Sequence, residues 1–146
     1  MRSRLRAVVV SCLVAAAAAG CGTSATGIMA AIQPDPVSAT SAGSLATYSA
    51  GWDVVVSDLT GQGGVVESID ARVGGAAVAL DASQSPTLGA SSNQATLGAF
   101  DRRTFHQAGS FTVDASGAGM LTVTAHFRAQ DGTAHQATAQ ARVTVR

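Results

Sequence analysis

Apolar and polar residues alternate along most of the chain from about Thr47 to Arg146, with a period of two and not 3.6. Trp52, Val54 and Val56 alternate with Asp53, Val55 and Ser57, and Ile69, Ala71 and Val73 with Asp70 and Arg72. Phe111 and Val113 flank Thr112, followed by Asp114. Leu121, Val123, Ala125 and Phe127 alternate with Thr122, Thr124, His126 and Arg128, and Val143 and Val145 with Arg142, Thr144 and Arg146. A period of two puts one side-chain set on each face of a strand, so these are half-buried strands. Glycine-rich clusters at 61–64, 74–75 and 116–119 separate them as turns. The alanines do not argue for helix, because no stretch of this region carries a helical stripe. Several short strands in about 100 residues predict one all-β domain, an antiparallel β-sandwich over 47–146.

The register of the last hairpin follows from the same pattern. A two-residue turn at Asp131-Gly132 would pair Val123 with Gln140 and Phe127 with Gln136, setting apolar against polar on one face. Slipping a strand by one residue exchanges its two faces, so a buried face forbids this pairing. A three-residue loop, Gln130-Asp131-Gly132, pairs Ala129 with Thr133 instead. Val123 then faces Ala139, Leu121 faces Ala141, and Thr124 faces Thr138 on the wet side. Gly132 is expected in the left-handed conformation of a G1 bulge.

The N-terminus has a different pattern. Arg2, Arg4 and Arg6 precede an apolar run from Ala7 to Ala19, broken only by Ser11 and Cys12. A helix crossing a bilayer needs about 20 apolar residues. This run is shorter and suits the hydrophobic stretch of a signal peptide over 1–20. It ends Ala18-Ala19-Gly20-Cys21, which resembles the bacterial lipobox, with Ala18 where that pattern usually has Leu. The resemblance implies cleavage before Cys21, lipid (diacylglyceryl and palmitate) on its thiol, and a protein anchored to a membrane of the cell envelope. The alternative is an ordinary secretory signal with a coincidental cysteine. Gly22 supplies no aspartate-type retention signal, so in a diderm host the outer membrane is expected.

Between anchor and domain, residues 21–46 are rich in Ser, Thr, Ala, Gly and Pro, with Ile28 to Ile32 as their only apolar patch. Chains so poor in large apolar groups offset little of the entropy of ordering. This segment is expected to be a disordered tether, and a fragment from about Ala46 is expected to fold alone.

With the strands placed, a second resemblance can be stated. Trp52-Asp53-Val54-Val55-Val56, then Leu59-Thr60-Gly61, then Val66 to Val73 resembles the first half of bacterial immunoglobulin-like domains on envelope lipoproteins. The closing hairpin, Leu121 to Phe127 and Ala137 to Val145 around Asp131-Gly132, resembles their end. It implies an immunoglobulin-like sandwich in a non-catalytic binding or structural role, and it transfers no site residues. The match is weakest from Ala76 to Gln107.

Charge narrows the partners. Three of the nine arginines leave with the signal, so six basic side chains face nine acidic ones, a net charge of −3, and there is no lysine. Such a surface has no footprint for nucleic acid. Cleavage also leaves Cys21 as the sole cysteine, so no internal disulfide can form.

Candidate chemistry is sparse, and neither a catalytic residue, a metal site nor a cofactor is assigned. His106, His126 and His135 are the material for a metal-binding or enzymatic alternative. The hairpin register puts His126 outward opposite Gln136 and His135 opposite Phe127, on opposite faces, so these two do not share an ion. A pair of His106 with His135 remains open, although zinc takes three or four ligands. Asp53, Asp58, Glu67, Asp70, Asp81, Asp101, Asp114 and Asp131 are scattered singly, without calcium-loop spacing. No Gly-x-Ser-x-Gly elbow is present. Phe100 and Phe105 are expected in the core, with Arg102 and Arg103 solvated between them. A carbohydrate-binding or adhesion module is a further alternative, with only Trp52 and Tyr48 as ring platforms, and Trp52 is expected to fill the core.

The register generates a direct test. Val123→Asp is expected to unfold the domain, by burying an unpaired charge opposite Ala139. Thr124→Asp, one residue along on the wet face, should move the melting midpoint little. Thermal melts showing both substitutions equally harmless, or Thr124→Asp the harmful one, would overturn the register.

Overall fold

The computed structural model describes residues 21–23, 27–43, 46–81, 96–113 and 118–146. The signal peptide read over 1–20, Asp114, and the turn residues Ser116 and Gly117 lie outside the described residues. Eleven strands run in chain order: β1 (Cys21–Thr23), β2 (Ile28–Gln33), β3 (Val37–Ser41), β4 (Thr47–Asp58), β5 (Gly64–Val73), β6 (Ala76–Ala77), β7 (Ala79–Leu80), β8 (Thr96–Leu97), β9 (Arg102–Thr112), β10 (Ala118–Ala129) and β11 (Ala134–Val145). The fold is all-β. The sheet is mixed rather than wholly antiparallel, because β3 runs parallel to β11 while the other pairs are antiparallel.

The pairing divides into two runs. One is β2-β4-β9-β7, with β1 outside β2. The other is β3-β11-β10-β5-β6. A strand that alternates apolar and polar residues must bury one face, and both runs bury theirs in one shared cluster. β2 and β11, which share no ladder, pack against each other across it. The result is sandwich-like. The first run supplies Ile28, Ala30, Ile32, Trp52, Val54, Val56, Phe105 and Phe111, and the second Val37, Val66, Ile69, Val73, Leu121, Val123, Phe127 and Val143.

The closing hairpin has the odd loop. Val123 pairs Ala139, Leu121 pairs Ala141, Thr124 pairs Thr138, and Ala129 N–H donates to Thr133 O at 2.9 Å. Gly132 has φ 87°, where a side chain would be strained. Val123 is fully buried, and the Thr124 and Thr138 hydroxyls meet at 3.3 Å on the outer face. On β5 the core residues Val66 and Ile69 are three apart, which breaks the period of two. A shift in pairing with β10 between His126 and Phe127 absorbs the extra residue, and Glu67 is left outside to bind Arg128.

Three expectations change. Residues 28–41 are not a disordered tether: β2 pairs with β4, and β3 pairs with both β4 and β11. Ile28, Ala30, Ile32, Val37 and Ala39 are at most 1% exposed. Composition undersells the segment because its isoleucines and valine fall on the inward face with Ala30 and Ala39, while Met29 and Ala31 face outward, and small Ala30 and Ala39 let the layers approach. Pro34 and Pro36, which lack N–H donors, separate β2 from β3, and Asp35 there accepts the Arg142 N–H at 3.1 Å. Gly119 is not a turn residue but lies within β10, opposite Val143 and beneath Val73. Phe100 is not in the core, whereas Phe105 is.

The fragment from Ala46 should therefore fail to fold. Burying a large aliphatic side chain contributes roughly 2 kcal/mol, so losing two isoleucines and a valine removes about 6 kcal/mol, comparable to the whole stability of a small domain. The chain from Cys21 should give a dispersed amide spectrum and a cooperative melt, and the chain from Ala46 neither. A cooperative melt of the shorter chain would restore the tether.

Candidate functional site

The outer face of β4 and β9 is built from small residues. Ser49 pairs Ser110 and Gly51 pairs Ala108, while Ser38 and Thr40 of β3 rise on one side and Ala79, Leu80 and Asp81 on the other. With nothing larger than Leu80 to fill it, the surface sinks into an open groove of about 490 Å³. Gly109 is required there, since a Cβ would come within 2.6 Å of the Val78 side chain and 2.8 Å of the Ala79 carbonyl oxygen. The hydroxyls of Ser38, Thr40, Ser49 and Ser110 can donate or accept hydrogen bonds, but no ring lines the groove for stacking.

One rung beyond, Asp53 pairs His106, with Nδ1 to Oδ1 at 2.5 Å. His106 is 74% exposed, and exposed pairs contribute at most about 1 kcal/mol. The Gly51–Ala108 rung separates this pair from Ser49 and Ser110, which lie four residues away, roughly 13 Å along the strands, so His106 is not in reach of either hydroxyl. The other histidines lie elsewhere. His126 Nε2 meets Asp70 Oδ2 at 2.9 Å on the outer face of β10 and β5. His135 stands opposite Phe127, ring centroids 6.3 Å apart, with Nδ1 buried and without a hydrogen-bond partner. The structure thus brings each of His106 and His126 to one carboxylate, and none of the three histidines to another. Among the described residues no group of three or more His, Cys, Asp or Glu side chains could hold a metal ion.

Trp52 is 3% exposed and packs in the core, and Tyr48 lies half-buried against it, so neither presents a ring to a glycan. Cys21 is in β1, its backbone paired with Ala31 on β2.

Asp58, one of the singly scattered carboxylates in the sequence, is a buried anchor in the fold. It is 1% exposed at the end of β4. Its Oδ1 accepts the Thr60 N–H at 2.8 Å and the Thr60 hydroxyl at 2.6 Å, and its Oδ2 accepts the N–H groups of Gly63 at 2.9 Å and Phe100 at 3.3 Å. Burial by itself pushes the carboxyl pKa up. The Thr60 hydroxyl and the Gly63, Thr60 and Phe100 N–H groups together outweigh it and hold the group below its ordinary value. The carboxylate thus ties the 59–63 turn to the 98–101 loop. Asp-x-Thr at the mouth of a glycine-rich turn is a recognisable signal for a side chain capping its own turn. Asp131 shows the same local chemistry in the open, where the Thr133 N–H at 2.8 Å, first among its partners, lowers its carboxyl.

Beside Asp58 are the two most exposed large apolar side chains of the described residues. Phe100 is 75% exposed at φ 55°, a left-handed conformation unusual for a bulky side chain, and Leu59 is 58% exposed. The Phe100 ring lies over Gly61, where a Cβ would come within 2.3 Å of it.

No protein-family model matches the chain, and no curated protein matches it. Among solved structures it is similar to the CARDB domain of a protein from Pyrococcus furiosus, determined in solution by NMR. The two share 17% identity with a TM-score of 0.46, over 81% of this chain and 94% of that one.

Asp58→Ala leaves the buried Gly63 N–H and the part-buried Phe100 N–H without this acceptor and should cost roughly 3 kcal/mol, read from denaturant melts. The wild-type carboxylate, with its lowered value, stabilises the fold fully above the ordinary value of 3.8 and loses that contribution as pH falls through the folded value. The stability gap between wild type and Asp58→Ala should narrow below about pH 4. A gap that stays constant into acid would show that the charge is not what holds the loops.

Proposed function

We propose that this is a lipid-anchored cell-envelope protein whose extracytoplasmic part is an immunoglobulin-like sandwich in a non-catalytic binding or structural role. The observation that carries it is the coincidence at Cys21: small residues and a glycine lead into a cysteine where the apolar run stops, behind three arginines. The lipid on Cys21 is the membrane contact, and a protein or glycan is the partner class of the domain. Nucleic acid is not a partner of a surface with net charge −3.

Strand order supports the immunoglobulin-like reading. The constant-type arrangement has one sheet ABED and one CFG. Taken in chain order, β2, β4, β5, β7, β9, β10 and β11 serve as A to G. Their pairings β2-β4-β9-β7 and β5-β10-β11 reproduce both sheets. Two features depart from antibody domains: Trp52 sits on the second of these strands rather than the third, and there is no cysteine pair between the sheets. The binding surface in this reading is the hydroxyl-lined groove over β4 and β9. Its lack of rings favours polar protein or peptide groups over a sugar stacked on an aromatic side chain.

Cys21→Ser should abolish labelling by radioactive palmitate and leave the protein unprocessed or released from membranes. Equal labelling of wild type and mutant would sink the anchor. In a diderm host the wild type should fractionate with the outer membrane, and recovery with inner-membrane vesicles would count against that destination.

A further inference from the structure

The segment expected to hold the domain off the membrane is itself folded. Cys21 to Thr23 are the edge strand β1, with Cys21 opposite Ala31 and Thr23 opposite Met29. From Cys21 the strand runs toward the end of the fold at which Ile28 pairs with Asp58. Gly27, at that same end, accepts the Leu59 N–H at 2.7 Å. Along the strand Cys21 is three residues, roughly 10 Å, from this end. Each interfacial zone of a bilayer is about 5–8 Å deep, so a lipid attached at Cys21 keeps this end of the fold close to the membrane surface.

The exposed apolar residues are at that end too. The large apolar side chains exposed among the described residues are Leu59, Val65, Phe100 and Met120. Leu59 and Phe100 flank Asp58, and Val65 follows Gly64, which pairs with Leu97. Met120 alone is at the other end, opposite Arg142. The display is built: Asp58 holds the Phe100 N–H, Gly61 makes room for the ring, and the backbone at Phe100 is in a strained region. Charge at this end is mixed, with Asp101 and Asp131 exposed alongside Arg102. Contact there depends on apolar insertion rather than on anionic lipid.

We propose that the Leu59–Phe100 tip is a membrane-contact element, inserted in the interface of the bilayer that holds the lipid on Cys21. The partner is the phospholipid surface. This rests on the anchor proposed above, which fixes the domain against the bilayer.

The test couples the chain from Cys21, which holds every described residue, through its sole cysteine to maleimide-lipid in phosphatidylcholine vesicles. It therefore does not depend on acylation in the cell: a failed palmitate label removes the anchor, while failure here removes the tip. Phe100→Trp reports from the tip and Ala76→Trp from an exposed strand away from it, each after subtraction of the parent signal from buried Trp52. On vesicles, Phe100→Trp emission should shift to shorter wavelength and be quenched by brominated lipid, and Ala76→Trp should do neither. Silence at both positions, or quenching at Ala76→Trp instead, overturns the proposal. So does a shift of Phe100→Trp without lipid that grows with protein concentration, which would assign the tip to a second copy of the chain.

Discussion

One apolar layer, closed on both sides only when β2 and β3 are in place, is the constraint from which the rest of the molecule follows. β4 carries Trp52, Val54 and Val56 inward, and β10 carries Leu121, Val123 and Phe127 inward. Ile28 and Ile32 of β2 and Val37 of β3 complete the buried cluster that the two runs of strands share. Because β3 pairs with β4 on one side and β11 on the other, the N-terminal segment also joins the layers covalently and by hydrogen bonds. That requirement brings β1, and with it Cys21, onto the body of the domain.

The same closure dictates where polar groups go. Inside, Asp58 is tolerated because four donors converge on it, and hydrogen bonds to a charged group are worth more than neutral ones. Outside, His106–Asp53 and His126–Asp70 meet as ion pairs on the outer strand faces, which fit a solvated surface. The small residues over β4 and β9 leave a groove because Gly51, Ala108 and Gly109 let the strands beside them come close.

Function in this reading is divided by position rather than by residue chemistry. The groove faces away from the core on one layer, and the Leu59–Phe100 tip is at one end, joined to Asp58 by the Phe100 N–H. Display of the tip and stability of the end loops are therefore coupled through one carboxylate.

Local physics was legible before any fold was known. Strand identity follows from a period of two, and the hairpin register follows from matching that period across a short loop, so Val123 opposite Ala139 and His135 opposite Phe127 could be read directly. The signal-like run and Cys21 are equally linear features, carried by residues next to one another. What needed the tertiary structure involves partners far apart in the chain. β2 and β3 look too poor in apolar groups to order, and they order because a prebuilt face on β4 and β11 receives their few inward residues. Asp58 reads as a surface turn residue, yet the N–H from Phe100, 42 positions away, helps to make its burial affordable. Phe100 reads as core by composition and lies outside, because the backbone bond to Asp58 orients its loop and no local pattern records that constraint.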